Sequence, residues 1–69
     1  METQYYSGRK LVPFWKEEEK KWYVFVFYTG GEIEEVYDNI NAGVAFAKAK
    51  NYIDGENKKN NERSNLPGV

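Results

Sequence analysis

Trp22-Tyr23-Val24-Phe25-Val26-Phe27-Tyr28 is an unbroken apolar and aromatic run, with charged residues before it and a pair of glycines after it. A run of β-branched and aromatic residues this short reads as a strand buried on both faces, and so as the centre of a sheet. Thr29-Gly30-Gly31-Glu32 follows it. Two glycines accept the positive φ angles of a two-residue hairpin turn, and taking Gly30-Gly31 as that turn sets the register. Tyr28 then faces Ile33, Val26 faces Glu35 and Val24 faces Tyr37 on one side, while Phe27 faces Glu34 and Phe25 faces Val36 on the other. Because side chains alternate along a strand, the first face collects Trp22, Val24, Val26, Tyr28, Ile33 and Tyr37 and is the expected core. The second collects Tyr23, Phe25, Phe27 and Val36, with Glu32 and Glu34.

Upstream, Lys16-Glu17-Glu18-Glu19-Lys20-Lys21 is a charged connection, too short for an independent helix. Leu11-Val12-Pro13-Phe14-Trp15 has strand character, but Pro13 lacks a backbone donor and assigns it to a sheet edge. Residues 1–8 show no clear period and read as an arm whose Tyr5 and Tyr6 can fold over an edge. Downstream, Asn39 is the expected cap of a helix from Ile40 to Ile53, with Gly55 as its terminator. At 100° per residue, Ala42, Ala45, Phe46, Ala49, Tyr52 and Ile53 fall on one side of that helix and are assigned to the sheet. Ile40, Val44 and Ala47, beside Gly43, fall on nearly the opposite side, a second surface that small residues open to close approach. From Asp54 onward the composition becomes Asn, Lys, Glu, Ser and Gly, the signature of a disordered tail.

The expected architecture is therefore α+β: a three-stranded antiparallel sheet packed on one C-terminal helix, in the order β-β-β-α. An arm spans residues 1–8, the ordered domain 9–54 and the tail 55–69.

A chain of 69 residues buries only about 60% of the surface it exposes when unfolded. Domains this small usually need a disulfide, a metal or a partner subunit, and with no Cys and no His the partner is what remains. Absence of Cys fits a reducing compartment, and no apolar stretch nears the roughly 20 residues needed to span a bilayer. A cytoplasmic protein without membrane segments is expected.

The same composition narrows the chemistry. General bases are limited to carboxylates, lysines and tyrosines, and although Glu32 and Glu34 share a strand face, nothing concave surrounds them. Asp38-Asn39-Ile40-Asn41-Ala42-Gly43 fails as a calcium loop, because Ile40 stands at a ligand position and Ala49 where a closing glutamate belongs. Gly30-Gly31 is a turn and not a phosphate loop. No catalytic residue, metal or cofactor is predicted.

Trp22 to Lys48, with its Trp-led strand, glycine hairpin, second strand and Tyr37-Asp38-Asn39-Ile40-Asn41-Ala42-Gly43-Val44-Ala45-Phe46-Ala47-Lys48 entry into a helix, resembles the AP2-like arm-binding domains of phage integrases. Asn39 and Gly43 stand where that family usually has Thr and Ala. The resemblance implies a three-stranded sheet with one helix. It also implies DNA binding through a basic sheet, which Glu32, Glu34 and Glu35 on the matching strand oppose. Other small β-β-β-α domains, antitoxins of the HicB type among them, look similar.

Aromatic residues make up 17% of the chain, more than one covered sheet face can absorb. The leading expectation is a non-enzymatic protein-interaction module, an accessory, regulatory or inhibitor protein of a prokaryote or phage. It would act as a homodimer through an aromatic, acid-rimmed face, with Tyr23, Phe25, Phe27, Glu32, Glu34, Val44 and Ala47 as partner-binding residues. The alternative is nucleic-acid binding, with Lys48, Lys50, Lys58, Lys59 and Arg63 as phosphate contacts.

Overall fold

A computed structural model of the chain describes the backbone of residues 1–64 and the side chains of residues 1–59. Four strands, β1 (Gln4–Tyr6), β2 (Arg9–Lys16), β3 (Lys21–Phe27) and β4 (Ile33–Asn39), precede one helix, α1 (Ala42–Ser64). The sheet is an antiparallel meander in the order β1-β2-β3-β4. As expected, the Trp22 run is central: β3 pairs along its whole length with β2, from Lys10↔Phe27 to Lys16↔Lys21, and on its other side with β4.

The expected count of three strands is corrected to four. The N-terminal arm does not lie across the sheet but extends it, with Gln4 opposite Leu11 and Tyr6 opposite Arg9. Ser7 (φ 51°) and Gly8 (φ 81°) make the turn, a two-residue loop with both φ positive whose twist matches that of the strands. Pro13 therefore sits in an internal strand. It is tolerated because β1 ends opposite Leu11, so beyond that point β2 has a neighbour on one side only.

The β3–β4 hairpin departs from expectation by one residue and then recovers. The Tyr28 carbonyl accepts from the Gly31 N–H (2.9 Å) and the Tyr28 N–H donates to the Glu32 carbonyl (2.8 Å), so the loop is Thr29-Gly30-Gly31. Gly31 takes the left-handed conformation at φ 95°, the geometry of a tight turn followed by a glycine bulge. Phe27 thus pairs with Ile33 rather than Glu34, and a second bulge skips Glu34 so that Val26↔Glu35, Phe25↔Val36 and Val24↔Tyr37 hold as expected.

The helix begins at Ala42 rather than Ile40, because Asn41 and not Asn39 is the cap. The Asn41 Oδ1 accepts from the Val44 N–H (3.3 Å), and Asn39 instead accepts from the Asn41 N–H (2.9 Å), tightening the approach to the helix. The expected stop at Gly55 is also corrected, since α1 continues to Ser64. Side-chain anchors hold the backbone on both sides of the glycine: the Tyr6 hydroxyl donates to Asp54 (2.8 Å) and the Asn57 amide donates to Ser7 (2.7 Å). The rest of the expected tail, residues 65–69, lies outside the described residues.

The core forms where expected. Ala45, Phe46, Ala49 and Ile53 of α1 are buried against Leu11, Val24 and Val26, with Tyr6, Tyr37 and Tyr52 closing its sides. Leu11, Val24, Val26 and Ile53 are the largest fully buried side chains, each contributing about 1.5–3 kcal/mol by leaving water. The helix covers this face of the sheet alone.

Candidate interaction surface

Alternation along the paired strands lays out the face away from the helix in rows. Tyr5, Lys10, Phe27 and Ile33 lie across one end. Val12, Phe25 and Val36 cross the middle, then Phe14, Tyr23 and Asp38, with Lys16 and Lys21 at the far end. Phe14 (52%), Ile33 (54%) and Val36 (41%) are well exposed. The Phe14 and Phe25 rings meet edge to face, with centroids 6.4 Å apart, the arrangement aromatic quadrupoles favour. Phe14, Lys16, Tyr23, Phe25 and Val36 line a shallow hollow of about 440 Å³.

Charge at the far end is organised around Glu19. Its carboxylate accepts from the Tyr23 hydroxyl (2.5 Å) and pairs with Lys16 (2.9 Å) and Lys21 (3.4 Å); Lys21 also pairs with Asp38 (2.6 Å). The Tyr23 hydrogen bond first, then the lysines, pull the Glu19 carboxyl down to about 2. Both ammoniums sit over the Tyr23 ring, 5.6 and 5.5 Å from its centre, near enough for cation–π attraction. Lys16 and Lys21 are thus largely neutralised within the chain. Lys10 makes no ion pair among the described residues.

Tyr23, Phe25 and Phe27 lie on this face as the sequence implied, and Glu32 is exposed just before β4. The acidic rim is corrected. Glu34, the residue skipped in pairing, turns to the helix side, where it accepts from Arg9 Nε (2.7 Å) and from the Tyr52 hydroxyl (2.7 Å). Its side chain is only 3% exposed. Burial opposes its ionisation, but the Arg9 and Tyr52 hydrogen bonds and the Arg9 charge outweigh it and hold the carboxyl below its ordinary value. The charged groups along the open face are Lys10, Lys16 and Lys21, with Glu19 and Asp38 held in ion pairs to the last two. Ile33 is likewise corrected, from the core face to the open one, by the longer turn.

The remaining candidates are not brought together. Val44 and Ala47 are exposed on the outer side of α1 with Ile40, and the sheet separates them from the aromatic face. The Lys48 ammonium donates to the Asp38 carbonyl (3.0 Å), that of Lys50 lies 5.5 Å from the Tyr6 ring centre, and Lys58 and Lys59 are exposed further along the helix. The Arg63 side chain lies outside the described residues. Of the Glu32 and Glu34 pair considered above, Glu34 has its side chain buried and engaged by Arg9 and Tyr52. Among the described residues no group of three His, Cys, Asp or Glu is placed to hold a metal, and no helix is long and apolar enough to cross a membrane.

Sequence reasoning missed Tyr5 and Lys10 on this face because it missed β1. The signal was present in Tyr5-Tyr6-Ser7-Gly8-Arg9, a Ser-Gly turn pair with strand-forming residues before it. No protein-family model, curated protein or solved structure matches the chain.

Proposed function

We propose that this chain is a small non-enzymatic protein-interaction module that binds through the sheet face opposite the helix. One observation carries the reading: Phe14, Phe25, Ile33 and Val36, with Val12, Tyr23 and Phe27 between and beside them and Tyr5 beyond Lys10 at one end, form an apolar surface that no described element covers. Those side chains leave on the order of 500 Å² exposed, at the upper end of what a monomer presents without a binding purpose. Large aromatic side chains that lose few rotamers on contact are the usual anchors of protein interfaces. The small size of the domain and its exposed aromatic face fit an accessory, regulatory or inhibitory role in a prokaryote or phage.

A photo-crosslinking amino acid placed at Phe14 should capture protein, and the same group at the exposed helix position Asn51 should not. Capture should survive high salt, because the contact is apolar. Equal capture from both positions would overturn the reading.

The second reading is single-stranded nucleic acid stacked on the same aromatics, as a sheet-based binder would hold it. The placement of Glu34 on the helix side removes one objection to it. Ion pairing of Lys16 and Lys21 leaves another, since phosphates would have to displace Glu19 and Asp38. Binding of this kind should weaken steeply with salt.

A further inference from the structure

We infer that the occupant of the open face is a second copy of this chain, two sheets packing face to face to give a helix-sheet-sheet-helix dimer. The inference rests on the interaction reading above and names its partner.

Area is the first support. A patch on the order of 500 Å² from each copy gives about 1,000 Å² in total, the lower bound for a specific interface. Charge is the second. Lys16 is paired with Glu19, and Lys21 with Glu19 and Asp38, so Lys10, at one end of the face, is its one lysine without an ion pair among the described residues, and the centres of two identical faces can meet with little repulsion. A face so nearly neutral argues against a strongly charged partner, including a nucleic acid. Position is the third. Phe25 stands mid-strand in β3, in the central row between Val12 and Val36, so a two-fold axis through the patch brings Phe25 near its own copy and exchanges the flanking rows, as an isologous contact requires.

The alternative route to self-association, edge to edge through β4, is opposed by sequence. Glu35 is exposed on that edge strand, Glu32 precedes it and Asp38 follows, and a bulge interrupts its register at Glu34. Acids and a bulge on an edge are the devices that prevent sheets from adding strands. Association through the β4 edge is thereby disfavoured.

Sedimentation equilibrium of the full chain from a few to several hundred micromolar tests the inference, with Asn51→Glu as the surface control. The wild type and the control should show a monomer–dimer equilibrium that persists in 1 M NaCl. Phe14→Glu should raise the dissociation constant at least tenfold; its ring is half exposed, so the fold does not depend on it. Phe25→Glu should do the same, with circular dichroism reporting that it folds. In a concentration series by NMR, the amides that shift should be those of residues 12, 14, 23–27 and 36. A wild type monomeric at several hundred micromolar overturns the inference, and the interaction reading survives that result if crosslinking at Phe14 still captures another protein. A dimer dissolved by Val44→Glu and not by Phe14→Glu overturns it in favour of the outer helix surface. Salt-sensitive binding of a fluorescent oligothymidine, lost in Phe14→Glu, overturns it in favour of single-stranded nucleic acid.

Discussion

Glu34 shows how a single residue can exchange one role for another without any change in the surrounding pattern. Placed by simple alternation it decorates the open face; skipped by the bulge it becomes the shared acceptor of Arg9 and Tyr52 beneath the helix. Arg9 is itself only 21% exposed, so Glu34→Ala would leave a half-buried guanidinium and a tyrosine hydroxyl without their acceptor. Removing one partner of such a network should cost about 1–3 kcal/mol, read as a lowered denaturant midpoint, and Glu34→Gln should recover part of it by keeping an acceptor. The ionisable groups also define a pH window. Glu17, Glu19, Glu34 and Asp38 are all held below their ordinary values by hydrogen bonds and cationic neighbours. Stabilisation from such carboxylates is complete above their unfolded pKa, 4.5 for the glutamates and 3.8 for Asp38, and is lost as pH falls through the folded values, which for Glu19 is about 2. Tyr6, Tyr23, Tyr37 and Tyr52 are shifted the other way, above 10, by hydrogen bonding to carboxylates or by burial. The unfolded chain ionises first there, so stability falls as pH rises past 10. Melting temperature should be flat between about pH 5 and 10 and decline on both sides; a decline within that interval would contradict these placements.

At the scale of elements, the turns explain most of what moved. The Thr29-Gly30-Gly31 loop is longer than the loop two glycines suggest, and the bulge at Glu34 returns β4 to the register that buries Tyr37 and turns Val36 outward. A strand slipped by one residue would have reversed its faces, and the apolar pattern of β3 and β4 penalises that outcome. The helix tells a similar story at Gly55. Its φ is not positive, and apart from its chain neighbours and the helix's own backbone no atom lies within 4 Å of where its Cβ would stand. An alanine there should fit without strain, reduce the entropy of the unfolded chain and stabilise the protein by about 0.5–1 kcal/mol. Thermal or urea denaturation of Gly55→Ala measures this, and destabilisation would mean that the helix does not pass straight through residue 55. Gly43 gives the contrast, since a Cβ there would come 3.1 Å from the capping Asn41 Oδ1.

For the whole molecule, the controlling fact is that one helix covers one face of a four-stranded sheet. Both faces carry apolar rows, and a sheet with two apolar faces is fully buried only as the middle of a layered assembly. If a second copy supplies the missing layer, unfolding is coupled to dissociation and the melting temperature of the wild type should rise with protein concentration. That of Phe14→Glu should not. Scanning calorimetry over a hundredfold range of concentration separates the two, and a wild-type melting temperature independent of concentration would contradict the coupling.

What could be read in the sequence was set by short-range periodicity. The run Trp22 to Phe27 is a central strand, as its apolar character implied, but it is buried on one face only: Val24 and Val26 fill the core, while Tyr23, Phe25 and Phe27 stay half-buried on the open face. The Ala42, Ala45, Phe46, Ala49 and Ile53 stripe meets the sheet because 3.6 residues per turn leave it no other place. Tyr23, Phe25 and Phe27 face away from the helix for the same reason that Val24 and Val26 face it. Tertiary structure decided what depended on contacts between distant residues. Gly55 lies inside the helix because Tyr6 and Ser7, far away in sequence, bond Asp54 and Asn57 on either side of it. The arm became β1 because β2 offered an unpaired edge. Glu34 turned inward because Arg9 and Tyr52 made a buried carboxylate cheaper there than an unpaired arginine, a comparison that local pattern does not contain.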